Sequence, residues 1–331
     1  MTPAPAGAPL PTRRRMGALA IAGAGVCFGT TFALTRRALV GVGPAPFLAV
    51  RFSLAALLLA PLALRRPSSP GVLRDGVAAG LALLAGYLLQ TWGLTSVTGP
   101  VSAFETNLLV VIVPLLSALV LRRRPSTPSL LGAGLATVGL WLLTGGVTGF
   151  GLGDGLTVGC AVAFAANIVV LGRVAPRHDP LRLTAVQLAV VAGGAWLVAG
   201  AAALDPGVAS SLGSGTHPLG SGGFAFGAGA LVAVGATAVL GSMVAYGLQT
   251  WGQRRVEPSR TAILLLAEPV TAALVGLVLG DTLSPTGLAG AGVILVAIVL
   301  SELGSDRARP PEPDPGTSSG TGAGARPCSP G

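Results

Sequence analysis

Ten apolar runs, each about long enough to cross a lipid bilayer, follow one another along this chain, near residues 16–35, 46–64, 76–95, 101–121, 129–145, 155–172, 183–204, 223–250, 261–280 and 285–302. At ~1.5 Å rise per residue, about 20 apolar residues cover the ~30 Å hydrocarbon core. Lipid offers no water to backbone N–H and C=O groups, so each run is expected as a helix that bonds them internally. The expected fold class is an all-α membrane protein with ten transmembrane helices. Composition agrees: 51% of residues are hydrophobic and only 10% charged, with a mean hydropathy of +0.76. A soluble domain carries about 25% charged residues.

The basic residues orient these spans. With the N-terminus cytoplasmic, one side of the membrane receives six groups of three Arg. They are Arg13, Arg14 and Arg15; Arg65, Arg66 and Arg74; Arg122, Arg123 and Arg124; Arg173, Arg177 and Arg182; Arg254, Arg255 and Arg260; and Arg307, Arg309 and Arg326. The other side receives only Arg36 and Arg37, and Arg51 falls inside a span. Positive residues accumulate on the cytoplasmic side. The alternation therefore predicts a multi-pass protein of the plasma (inner) membrane with both termini cytoplasmic. The net charge of +9 lies in clusters between apolar runs rather than along a stripe with aromatics, which argues against nucleic acid as a partner. Cys27, Cys160 and Cys328 match no metal-ligand spacing, and no cofactor or metal is expected.

Arg13 to Arg15 ahead of an apolar stretch have the look of a secretory or twin-arginine signal, with Cys27 as a lipoprotein site. Val26 stands where a small residue would precede a lipidated Cys, and the apolar run continues past it. An uncleaved first helix is the better reading. Residues 303–331, rich in Pro, Gly and Ser, read as a disordered cytoplasmic tail. The stretch 205–222 reads as an external loop in which Ser214 and His217 give weak grounds for a catalytic pair.

An internal echo organises the spans. Residues 87–94 read YLLQTWGL and residues 246–253 read YGLQTWGQ, 159 positions apart. Pro44 and Arg51 have counterparts in Pro180 and Gln187, both 136 positions later. Pro114 and Pro269 each sit in the span after the QTW phrase, and Gly132-Ala133-Gly134 recurs as Gly290-Ala291-Gly292. Each half holds five spans: 16–146 and 153–302, after a cytoplasmic segment 1–15. Five is odd, so the second half enters the membrane from the opposite face. Two inverted five-helix repeats are typical of secondary transporters whose site lies between the halves.

At the level of motifs the chain resembles the ten-span drug/metabolite transporter superfamily, in the branch with two EamA-type repeats. The stretches PFLAVRFSLAALLL, SAFETNLLVVIVPLLSALVL and EPSRTAILLLAEPVTAALVGLVLGDTLSPTGLAGAGVILVAIVL carry the resemblance, with Asp281 where Glu is commoner. It implies efflux or exchange of a small organic metabolite by alternating access, with the solute in a central cavity. Tyr87, Gln90, Tyr246 and Gln249 lie on helices whose family counterparts line that cavity, and Arg51 matches a position where Arg is common.

Three ionisable side chains lie well inside the spans: Arg51, Glu105 and Glu268. A charge at mid-membrane costs about 2.5–3.5 kcal/mol on insertion scales, so each is expected to face protein or a water-filled cavity. Residue counting puts Arg51 and Glu105 at similar depth, roughly 7–8 Å below the external surface. They are expected either to pair structurally or to form an external gate that meets the solute. Glu268 lies near the midplane beside Pro269 and is the candidate proton or cation site; bonding to the interrupted backbone is the alternative. Asn107 and Asn167 either bind solute or join helices. Trp92 and Trp251 fall at span ends and suit an aromatic belt. Gly25-xxx-Gly29, Gly76-xxx-Gly80 and Gly155-xxx-Gly159 are candidate close-packing motifs. The competing classes are an intramembrane enzyme and a passive channel. The spans contain no His and no paired Asp for the first, and no continuous polar face for the second. The expected partners are thus a small-molecule solute, the bilayer and, if Glu268 couples transport, protons.

Overall fold

The computed structural model describes residues 10–38, 42–93, 97, 99–122, 127–146, 151–204, 226–278, 280 and 282–307. The 205–222 loop with Ser214 and His217, Asp281, Cys328 and the tail beyond 307 lie outside the described residues. The described chain is helical, with no strand among its residues. In the first half, α1 spans Leu10–Ala38, α2 Pro44–Leu64, α3 Val72–Gly93, α4 Gly99–Asn107, α5 Leu109–Leu121 and α6 Thr127–Thr144. In the second, α7 spans Leu152–Val174, α8 Pro180–Leu204, α9 Ala228–Ala236, α10 Ala245–Gln253, α11 Pro258–Leu265, α12 Ala267–Val278 and α13 Pro285–Arg307. A 3-10 turn, Ala175–Arg177, joins α7 to α8, and a π-helical segment, Thr237–Val244, joins α9 to α10. The last helix thus runs past residue 302, where the tail was expected to begin.

Among the described residues eight segments are long and apolar enough to cross a membrane, and Pro285–Ser301 is a shorter apolar helix. Three of the eight are continuous in space although locally interrupted: 101–121, 228–253 and 258–278. Pro44, Pro180, Pro258 and Pro285 open helices, where the missing N–H is an orphan anyway. Pro114 and Pro269 sit inside spans instead, one to two turns after the breaks at Leu108 and Leu266, because each removes a backbone donor and crowds the carbonyl four residues earlier.

The outer surface is apolar. Leu57, Leu64, Leu119, Leu197 and Val278 are all at least half exposed, an arrangement suited to lipid and costly in water. With hydrocarbon outside as well as inside, close packing rather than water exclusion must hold the helices together. Glycine supplies it. A Cβ on Gly29 would run into the Glu268 carbonyl oxygen, and one on Gly76 would lie 2.7 Å from the Val186 side chain. Gly139 and Gly290 meet in the same way, backbone against backbone. In the third small-residue motif Gly155 faces open space, and only Gly159 meets a neighbour, the Leu89 side chain.

The most extensive helix contacts pair α6 with α13, α2 with α8, α3 with α7, α1 with α12, α3 with α8 and α1 with α10. Every one of these pairs joins the first half to the second. One shared core gathers Phe47, Phe52, Leu83, Leu188 and Tyr246, and another gathers Ile21, Val113, Leu140, Ile263 and Ile294.

Candidate functional site

A cavity of about 140 Å³ lies between the halves, lined by parts of α1 to α5, α7, α8's neighbour α10 and the α11–α12 break. Along α3 its lining runs from Leu83 and Tyr87 to Gln90 and Thr91, its outer end, near the C-terminus of the helix. Thr35 and Pro44, where α1 gives way to α2, line the same outer end.

At its heart two tyrosines meet. Tyr87 and Tyr246, the equivalent first residues of the repeated octapeptide, hydrogen-bond through their hydroxyls at 2.7 Å. Phe164 packs edge-on to Tyr87 at 5.4 Å between ring centroids, and Phe28 packs edge-on to Tyr246 at 5.0 Å. Phe28 and Phe164 are 136 residues apart, the offset that relates Arg51 to Gln187. Each tyrosine therefore borrows its phenylalanine from the other half. Such edge-to-face pairs are worth about 0.5–1.5 kcal/mol beyond their buried area.

Arg51 is 4% exposed and docks on the π segment. Its Nε donates to Ser242 Oγ at 2.9 Å and its Nη2 to the Gly241 carbonyl at 3.1 Å. The guanidinium also lies 5.6 Å from the Tyr87 ring centroid, within cation–π range. Glu268 lines the same cavity just after the α11–α12 break; Arg51 is the charged group that acts on it. It makes no hydrogen bond to the interrupted backbone among the described residues. The cavity thus holds one cation and one carboxyl side chain within electrostatic reach of each other.

Of the residues expected at the site, Arg51, Tyr87, Gln90, Asn107, Asn167, Tyr246, Gln249 and Glu268 line the cavity. Glu105 does not. It is 1% exposed, faces Asp154 and Thr157 of α7, and its Oε2 has no hydrogen-bond partner. The structure thus gives Arg51 and Glu105 different neighbours instead of bringing them together. Several lining amides are already committed to helix joining. Asn167 Nδ2 donates to the Ala79 carbonyl at 2.8 Å and to Gln187 Oε1 at 3.1 Å. Gln249 Nε2 donates to Gln253 Oε1 at 3.2 Å, and Gln253 donates in turn to the Ile168 carbonyl. Asn107 spends its amide N–H on Ala103 of its own helix, and Gln90 reaches Thr106 only at 3.4 Å. Trp251 sits at the end of α10 with the Arg255 guanidinium 4.2 Å over its ring, as an interfacial anchor would.

Sequence reasoning missed the π segment, Thr31 beside it, and the paired phenylalanines. Phe28 and Phe164 were findable from the 136 offset; the π segment left no signal in composition.

Comparison with known proteins points one way. Residues 15–145 and 151–303 each match the EamA-like transporter family. An uncharacterized transporter from Archaeoglobus fulgidus is 28% identical over 292 residues, covering 88% of this chain and 87% of that protein. A solved crystal structure superposes with a TM-score of 0.68 at 19% identity, over 88% of this chain and 98% of that one, a likeness of fold.

Proposed function

The chain belongs to the EamA-like transporter family, and from that premise we propose that it is a secondary transporter carrying a small polar organic solute through the Tyr87–Tyr246 cavity by alternating access. The proposed architecture is ten membrane-spanning helices in two inverted five-helix repeats, with both termini cytoplasmic in the plasma membrane. The observation that carries this reading is the exchange of partners at the cavity. Phe28–Tyr246 and Phe164–Tyr87 are the same contact made twice, once from each half, and the tyrosines meet at what would be the two-fold axis. The most extensive helix pairings, which cross between halves, give the same support. In an inverted repeat, rocking of one half against the other alternately uncovers a fixed central site.

Within that site the solute contacts are assigned to Arg51, Tyr87, Gln90, Asn107, Tyr246 and Glu268, which retain unspent polar capacity or flank the central opening. Asn167 and Gln249 hold helices at its wall. Efflux or exchange is the proposed direction, with Glu268 as the group that takes up and releases a proton. Metabolite flux into and out of proteoliposomes, with and without a pH gradient, tests this reading. Glu268→Gln is expected to keep solute exchange and lose the gradient-driven component; Glu268→Gln vesicles that still respond fully to the gradient would refute coupling at this residue. Absence of flux for any metabolite under any gradient would refute transport.

A further inference from the structure

The cavity reaches one end of the helix bundle, and the opposite end is tied shut by a set of hydrogen bonds that lies outside the solute site. His178, one of two His in the chain, follows the 3-10 turn between α7 and α8 and is 4% exposed. Its Nε2 lies 2.9 Å from Asp75 Oδ2 in the first turn of α3, and its Nδ1 lies 2.6 Å from Ser69 Oγ in the α2–α3 connection. A carboxylate only accepts, so Nε2 carries a proton, and Ser69 can either donate to Nδ1 or accept from it. The chain of bonds is complete with the imidazole neutral or charged. Beside it, Arg182 in the first turn of α8 donates to the carbonyls of Arg66 at 2.7 Å and Leu64 at 3.1 Å. These are carbonyls at the C-terminal end of α2, where a cation is favoured by unsatisfied acceptors and by the helix dipole. Asp179 caps α8 through the N–H groups of Leu181 and Arg182, which fixes the direction in which Arg182 leaves the helix.

All these bonds join the first half to the second, apart from the Asp179 cap. Directly within this layer, Val72, Ala79, Leu171, Val174, Ala175 and Leu183 form a dry apolar cluster where α3, α7 and α8 converge. Asp75 and Gln90 are 15 residues apart on one helix, which places the tie and the cavity's outer end about 22 Å apart along α3. The two ends of α3 therefore carry opposite conditions: an open end at Gln90 and Thr91, a bonded end at Asp75. Away from that tie the halves are joined on α2 by Arg51, through Ser242 Oγ and the Gly241 carbonyl, and near mid-helix by Trp196 Nε1, which donates to Ser53 Oγ at 2.9 Å.

We propose that the Ser69–His178–Asp75 chain, with Arg182 clamped on the end of α2, is the latch that holds the Arg-rich face closed and parts each time the cavity opens to that face. The proposal rests on the transport reading for its purpose, since only alternating access requires this face to open. Its chemistry suits a latch. Several moderate bonds, satisfied from both sides, hold the halves in register, and water and the nearby Arg74, already bonded to Asp75, can take over the carboxylate once it is released.

The test reads conformation and needs no solute. Full-length protein lacking its native cysteines is placed in lipid nanodiscs with spin labels at Arg66→Cys and Arg177→Cys, across the latch. A second preparation carries labels at Val97→Cys and Ala228→Cys, across the open end. In the His178→Ala variant the long-distance population at the latch is expected to rise about tenfold, the factor one buried charge-assisted hydrogen bond supplies. The open-end distance is expected to shorten in the same variant. Asp75→Asn and Arg182→Ala are expected to move both distances the same way, and Asp75→Asn keeps the side-chain shape if His178→Ala folds poorly. Unchanged latch distances in all three variants would overturn the proposal. So would a latch that widens with no response at the open end, since that is local loosening. If no solute ever moves in proteoliposomes but the distances respond as described, the transport reading fails while the latch stands.

Discussion

In the first half, Arg51 of α2 and Thr31 of α1 converge on the π segment at Gly241 and Ser242. In the second half, the residues 136 positions later, Gln187 of α8 and Asn167 of α7, converge on α3 at Ala79 and Gly80. The framework is the same at both corners and the chemistry is different. One corner holds a guanidinium against a carbonyl and a hydroxyl, on a helix distorted to π geometry. The other holds two amides that satisfy each other and a carbonyl of a regular α-helix. Duplication supplies two equivalent positions beside a cavity, but a solute with a charge needs its counter-charge in one place. π segments are rare and cluster at functional sites, and here the distortion coincides with the charged corner. On the proposed transport reading, the difference assigns solute handling to the Arg51 corner and helix joining to the Gln187 corner.

The strongest way to break the comparison is to make the corners alike. Arg51→Gln keeps a hydrogen-bonding group near Gly241 and removes the cavity's cation. Solute flux is expected to fall by about 100-fold, in line with loss of a charge-assisted contact and the electrostatic balance with Glu268. Thermal stability is expected to fall as well, because removing one partner of a buried charge pair leaves the other uncompensated. Flux in proteoliposomes and a melting curve check the two halves of that statement. A variant that transports normally would make the two corners functionally equal.

The converse perturbation acts on the other corner. Asn167→Ala leaves the Ala79 carbonyl and Gln187 without their shared donor, a loss of about 1–3 kcal/mol for orphaned buried groups. The expected result is a melting temperature lower by about 2–4 °C. Solute affinity, read from the concentration dependence of flux, is expected to stay within about twofold of the parent, since less than ~0.5 kcal/mol then reaches the site. Weakened affinity with unchanged stability would move Asn167 into the solute shell.

Close packing gives a smaller contrast between motifs that look alike. Gly29→Ala drives a methyl into the Glu268 carbonyl and is expected to cost about 1–3 kcal/mol of overpacking. Gly155→Ala meets open space and is expected to be neutral or slightly stabilising, as Gly-to-Ala exchange in a helix is worth up to ~1 kcal/mol. Denaturation in detergent, compared between the two variants, reads the difference.

These contrasts also explain what the sequence made legible. Hydropathy marked the apolar helices, eight of them long enough among the described residues to cross a membrane, and the duplicated phrase identified two tyrosines that meet across the cavity. Residue counts gave no angle around each helix. Arg51 and Glu105 count to the same depth, yet Arg51 turns to Ser242 while Glu105 turns to Asp154. The Asp75–His178 pair spans 103 residues and two connections, so no local pattern announces it. The residues of the π segment, Thr237 to Val244, read as ordinary apolar helix. Gln187 was recognised as the counterpart of Arg51, but its bond to Asn167 depends on a tertiary meeting of α7 and α8 that spacing alone does not encode.

The finest comparison lies at the tyrosine pair, where the two halves contribute the same side chain. Tyr87 and Tyr246 share one hydrogen bond, so Tyr87→Phe and Tyr246→Phe each remove it and each leave one hydroxyl without that partner. The double variant loses the same single bond and leaves no orphan. The double-mutant cycle is therefore expected to be strongly non-additive: each single change costs about 1–2 kcal/mol, and the pair costs no more than either alone. Full additivity would mean that the hydroxyls act separately on water or solute. Equal single effects would place them symmetrically about the axis, and a larger effect for Tyr87 would point to Arg51, whose guanidinium lies over that ring, as the group that makes even this central pair unequal.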